Sequence, residues 1–174
     1  MKLLKIALAA TAVTGFAVTA QAQDSAAYIN LGAEAVEFDS YNLTGRLGYQ
    51  FSENLSVEAQ ASFGVIDDDI EGFNVGVDNS YAAFIRGALP ISEQFSLFVK
   101  GGYHFTQFGV DGQGLDESLD LEGFAFGGGV EYMFDDVNGL RADVTYLDSN
   151  DDNINGADLS GTAETYAITY VRKF

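Results

Sequence analysis

Thr162 to Phe174 reads T-A-E-T-Y-A-I-T-Y-V-R-K-F, and the fold follows from how that stretch alternates. One register carries Tyr166, Ile168, Tyr170, Arg172 and Phe174; the other carries Thr165, Ala167, Thr169, Val171 and Lys173. A period of two marks a strand whose two faces meet different environments. The strand ends on a bare aromatic, Phe174.

The same alternation recurs upstream. Segments near 26–36, 41–51, 55–65, 80–90, 95–106, 122–134, 139–147 and 162–174 all carry it, and none carries a helical period of comparable strength. Most of them match the ~9–11 residues that a tilted strand needs to cross a bilayer. Their connections differ in length. Ser52–Asn54, Pro90–Gln94 and Asp135–Asn138 are short, as is Glu37–Ser40, whereas Ile66–Asn79, Gln107–Leu121 and Asp148–Gly161 are long. Short turns at one end and long loops at the other fit an even-stranded membrane barrel, with both termini on the short-turn side.

The amino terminus fits export. Lys2 and Lys5 precede an apolar run from Ile6 to Val18, and Ala20-Gln21-Ala22 is a small-x-small cleavage site. The run is too short to span a membrane as a helix, which takes about 20 residues. Residues 1–22 are therefore expected to be a removable secretory signal, and residues 23–174 a single barrel domain. Without Lys2 and Lys5 the net charge falls from −18 to −20, with 6 basic residues against 26 acidic. Such a balance argues against nucleic acid, which is bound through Lys and Arg. There is no Cys, so disulfides and thiolate metal sites are excluded. Twenty Gly and one Pro favour close-packed strands with tight turns.

Alternation alone does not say which face is apolar outward; a soluble carrier barrel would turn its apolar face in. Here the aromatics of the apolar register sort by height. Tyr49, Phe51, Phe95, Tyr132, Phe134, Tyr170 and Phe174 lie near the short turns. Tyr41, Phe63, Tyr81, Tyr103, Phe105, Phe124, Tyr146 and Tyr166 lie toward the long loops, with aliphatics such as Leu47, Ala83, Val99 and Ile168 between. Two aromatic girdles around an aliphatic belt are what a bilayer selects. The opposite register holds small residues such as Ser62, Ala82 and Gly102, together with Glu34, Arg46, Glu58, Arg86, Lys100, Glu131, Arg141, Asp143 and Lys173. Five of the six mature basic residues thus share a face with only four of the 26 acids, which points to paired charges in a confined lumen.

With its closing strand, two girdles and alternating connections, the chain resembles the small outer-membrane barrels of the OmpA/OmpX type, in barrel-only form. Arg172 departs from the aromatic usual at that place in such closing strands; its long stem can snorkel to the membrane edge. The resemblance implies an all-β, eight-stranded antiparallel up-and-down transmembrane β-barrel in the outer membrane of a Gram-negative bacterium. It also implies outer-membrane lipid and lipopolysaccharide as neighbours, insertion by the barrel-assembly machinery through the strand ending in Phe174, and a monomeric state. No cofactor is expected.

Three groups of residues are candidate sites. The lumenal charges Glu34, Arg46, Glu58, Arg86, Lys100, Glu131, Arg141 and Asp143 are expected to form a network that plugs the barrel, with a narrow ion or water path as the alternative. Arg46 lies diagonal to Glu58, and Glu131 nearly opposite Arg141 and Asp143. The acidic run Asp67, Asp69, Glu71, Gly72 and Asp78 approaches an EF-hand loop, with Glu at the fifth position and Asp at the last in place of the usual ligands. A looser site for divalent cations, bridging to lipopolysaccharide phosphates, competes there with a plain solvated surface. Asp148 to Gly156 repeats the idea more weakly. His104 is the sole histidine; it falls in the inward register and has no Ser two or three residues away. It reads as a hydrogen-bonding residue of the lumen. The expected role is a non-enzymatic envelope protein with acidic surface loops. Surface adhesion, a narrow channel and a lipid A-modifying enzyme are the alternatives.

Overall fold

Period-two alternation becomes one closed sheet in the computed structural model of the chain, which describes residues 27–36, 40–66, 68–70, 73–112, 115–149, 153–154, 157–158 and 161–174, without the side chains of 66–78, 108–120 and 149–161. The expected signal sequence, residues 1–22, lies outside the described residues. The barrel strands are β1 (Ala27–Val36), β2 (Ser40–Ser52), β3 (Leu55–Ile66), β4 (Phe73–Pro90), β5 (Phe95–Gly112), β6 (Leu115–Met133), β7 (Asn138–Ser149) and β8 (Gly161–Lys173). Each pairs antiparallel with the next, and β8 returns to β1 through the ladder from Tyr28–Lys173 to Val36–Thr165. The all-β, eight-stranded barrel expected from the alternation is therefore the observed fold.

Closure has a stagger. A path stepped across the pairs from Ile29 through Leu47, Ala59, Ala83, Tyr103, Phe124 and Asp148 to Thr162 returns to β1 about ten residues further along. Strands so staggered tilt by ~35–45° and enclose an interior just wide enough for side chains to fill.

Facing follows the apolar-outward reading. Val99, Ile85 and Ile168 are 68%, 61% and 62% exposed, whereas Ser62 and Thr44 in the other register are fully buried. Ring contacts knit both girdles, across strands on the long-loop side and along the chain on the short-turn side. On the long-loop side Tyr103 packs edge-on to Phe105 and Phe124, Phe63 to Tyr81, and Phe126 stacks on Tyr146. On the short-turn side Tyr49 meets Phe51 and Tyr132 meets Phe134. The turn after β6 is fixed by Asp135, whose Oδ1 accepts from the backbone amides of Val137 and Asn138 at 2.8 and 2.7 Å. The Asn138 side chain and those two amides hold the Asp135 carboxyl below the usual range.

Two of the expected long loops are largely strand. β4 to β6 run for 18, 18 and 19 residues, so most of Ile66–Asn79 and Gln107–Leu121 belongs to a sheet standing above the girdle. A short strand, Asp68–Ile70, pairs with the start of β4, and Asn153–Ile154 pairs with Ala157–Asp158. Polarity changes sign along this extension. The rows Val77–Phe108–Leu119 and Val75–Val110–Glu117 continue the register that faces the lumen below, while Gly76–Gly109–Ser118 and Asn74–Asp111–Asp116 continue the outward one. Along these rows most of the apolar residues fall in the register that is polar below.

Candidate functional site

Inward residues of all eight strands meet in the lumen, and their charges pair across it. Asp143 on β7 is the hub of one level. It accepts both Arg46 guanidinium nitrogens, Nη1 at 2.7 Å and Nη2 at 3.1 Å, and Lys100 Nζ at 2.6 Å. One turn of the pleat nearer the short turns, Arg141 donates from Nη1 to Glu58 Oε1 at 2.5 Å and from Nη2 and Nε to Glu131 Oε2 at 2.7 and 3.0 Å. Arg86 Nη2 reaches the same Glu131 oxygen at 3.1 Å, and Lys173 Nζ approaches Oε1 at 3.8 Å. Apart from half-exposed Lys173, these side chains are buried. At Arg46–Asp143 the fork of Arg meets both oxygens of a carboxylate, which fixes direction as well as distance.

Some partners differ from those suggested by neighbouring strands. Glu131 and Arg141 are indeed directly opposite, as are Arg86 and Lys100. Arg46 and Glu58 lie diagonal on adjacent strands, yet Arg46 reaches across the lumen to Asp143 and Glu58 reaches Arg141. Glu34 is joined through Gln60, an uncharged residue that a search for charges misses. Its Nε2 donates to Glu34 Oε2 at 3.0 Å, and its Oε1 accepts from Arg46 Nε at 2.8 Å.

Three aromatics also point inward. Tyr28 donates to Glu58 Oε1 at 2.6 Å, and Arg141 lies over its ring. Phe98 sits beneath Arg86 and Arg141, 4.4 and 4.9 Å from ring centroid to guanidinium carbon. Phe84 faces Lys100 Nζ at 4.7 Å. A ring face attracts a cation while excluding water from its pair. Parity could have found these three, since each shares a register with the lumenal charges of its own or a neighbouring strand. Gly48 makes room for one of them: a Cβ there would stand 2.1 Å from the Tyr28 ring.

At the short-turn end the lumen opens into a cavity of about 130 Å³ lined by Tyr28, Arg86, Glu131, Arg141 and Lys173. That is room for about four waters at ~30 Å³ each. Toward the long-loop end, His104 is fully buried, with Nδ1 3.1 Å from Thr106 Oγ1, which in turn lies 2.9 Å from Ser80 Oγ. The group faces the lumen, away from the lipid surface. Of the acidic run, Asp67 and Glu71 lie outside the described residues, and only the backbone of Asp69 and Asp78 is described. Among the described residues no group of three or more His, Asp or Glu is placed to hold a metal ion.

Comparison with known proteins agrees with this architecture. Residues 8–174 match the family model described as "Outer membrane protein beta-barrel domain". No curated protein sequence matches. Among solved structures, the N-terminal β-barrel domain of Pseudomonas aeruginosa OprF aligns with a TM-score of 0.66 at 12% identity, over 88% of this chain and 100% of that one. Neisserial surface protein A gives 0.62 at 14% identity, covering 85% and 94%. The attachment invasion locus protein Ail of Yersinia pestis gives 0.58 at 12%, covering 87% and 99%. At such identities the likeness is one of fold.

Proposed function

The chain belongs to the outer-membrane β-barrel family, and from that premise we propose that it is a non-enzymatic envelope protein whose lumen is sealed by its own side chains. In this reading both termini lie in the periplasm and the extended β4–β6 sheet stands outside the cell. Outer-membrane lipid and lipopolysaccharide surround a monomer, and the barrel-assembly machinery inserts it through the strand ending in Phe174. Divalent cations bridging the acidic segments to lipopolysaccharide phosphates fit the same picture.

One observation carries the reading. Arg46–Asp143 and Arg141–Glu58 join opposite walls at adjacent levels, so a solute would have to break both buried ion pairs to pass. Breaking a buried pair costs several kcal/mol per uncompensated charge, which favours a plug over a path. A lipid-modifying role is less well supported, because His104 is enclosed in the lumen while lipid meets only the outer face.

Surface adhesion is the competing reading, favoured by the sheet that projects beyond the girdle. Complementation separates the two. Cells lacking the protein should become more sensitive to detergent and chelator. A barrel whose β5–β6 hairpin is cut back to a tight turn near Thr106 and Leu121 should restore resistance. If the shortened barrel reaches the membrane folded and restores nothing, the function resides in the projecting sheet.

A further inference from the structure

At the long-loop girdle the outer wall of β4–β6 carries a pocket of about 310 Å³, lined by Asn79, Tyr81, Phe105, Gln107, Leu121 and Glu122. Its residues stand on neighbouring rungs of the ladder. Tyr81, Phe105 and Glu122 lie side by side on one rung, and Asn79 and Gln107 on the outward rung nearer the long loops. Tyr81 and Phe105 are half exposed. Phe63 packs edge-on to Tyr81 and Tyr103 to Phe105, which steadies both rings.

The polar groups here suit hydroxyls. Asn79 Nδ2 donates to Gln107 Oε1 at 3.0 Å, which leaves Asn79 Oδ1 to accept and Gln107 Nε2 to donate. Tyr103 donates to Glu122 Oε1 at 3.3 Å, and Glu122 Oε2 remains an acceptor. A hydroxyl donates and accepts at once, so adjacent hydroxyls on one ring satisfy such a mixed set. Two aromatic rings beside a few placed polar groups are the usual make-up of a small-ligand site.

Charge argues against other occupants. Among the described residues Arg46, Arg86, Lys100 and Arg141 are buried in the lumen, and Arg172 and Lys173 lie at the short-turn end. A phosphate or sulfate at the pocket would meet Glu122 and no cation. An ammonium headgroup would pair with Glu122 but leave the Asn79 and Gln107 amides unused.

We propose that this pocket binds an uncharged sugar unit of a glycolipid. The sugar hydroxyls take Asn79 Oδ1, Gln107 Nε2 and Glu122 Oε2, and its C–H face lies on Tyr81 and Phe105. Because the girdle rings form the pocket's own wall, hydrocarbon lies directly below, and a lipid-linked sugar gains tail contacts that a free sugar lacks. The outer leaflet as its source rests on the orientation proposed above, whereas binding to the purified barrel does not.

The test uses the whole mature protein folded in micelles of an uncharged alkyl polyether, with folding checked by the mobility shift between boiled and unboiled samples. Dodecyl maltoside is titrated in while NMR follows the side-chain amides of Asn79 and Gln107. Their shifts should saturate, with intermolecular contacts from sugar C–H protons to the Tyr81 and Phe105 rings. Gln50, at the short-turn end, should not respond. Free maltose should bind about tenfold more weakly or worse. Dodecyl phosphate and dodecyltrimethylammonium should not displace the maltoside. Tyr81→Leu with Phe105→Leu keeps the wall apolar and should weaken binding about tenfold, as should Asn79→Ala with Gln107→Ala read at the ring protons. Shifts that do not saturate, an equal response at Gln50, or unchanged affinity in either double variant would overturn the proposal. So would displacement by a charged amphiphile, or maltose binding as tightly as the maltoside.

Discussion

Asp143 takes two cations from different walls of the barrel, Arg46 through both its terminal nitrogens and Lys100 at 2.6 Å. Its removal leaves two buried positive charges with no carboxylate between them, so Asp143→Ala is expected to cost about 3–5 kcal/mol. Urea unfolding in phospholipid vesicles measures this. Glu34→Gln is the contrast, because Glu34 is held by the neutral amide of Gln60, and it should cost about 1 kcal/mol or less. A second residue-scale prediction concerns Gly48. Gly48→Ala must displace the Tyr28 ring and with it the 2.6 Å bond to Glu58, so its cost should reach the ~1.5–3 kcal/mol of a hydrogen bond to a charged group. Tyr28→Phe should reproduce most of that loss in the same assay. At this scale the sequence tells which charges are inside, because parity sorts faces. It does not tell who pairs with whom: Arg46 and Asp143 are 97 residues apart and meet across a diameter that strand neighbours do not reveal. Tyr28, Phe84 and Phe98 escape any reading that assigns aromatics to the girdles, although in a narrow lumen a ring can equally shield an ion pair.

Along a strand, the bilayer is legible as a sign of polarity. Ala83 is exposed at mid-height on β4 and Ala82, beside it, faces inward opposite His104. Ala83→Arg places a charge against hydrocarbon and should destabilise by about 2–4 kcal/mol. Ala82→Ser enters an already polar interior and should be nearly silent. Folding yield and urea midpoints in vesicles decide between them, and the reverse order would mean that the facing is inverted. The eight strands are readable where this sign is constant. Above Thr106 it reverses: Phe108 and Val110 continue the inward register, and alternation with the opposite sense passes for loop. The period does not stop there; its polarity inverts.

For the molecule as a whole, a chain of net charge −18 sets most of its few basic residues inside, against four carboxylates, and its other described acids lie in the turns and toward the long-loop ends of the strands. That distribution is visible in the sequence, whereas the bridging of opposite walls requires the closed ladder between β8 and β1. The central claim is that these bridges make the barrel a plug. Solute flux into liposomes carrying the purified, folded protein tests it most directly. Swelling in small sugars should match protein-free liposomes, because eight strands leave no aqueous channel once the interior is filled. Rapid, reproducible sugar entry that scales with the amount of folded barrel would contradict the account.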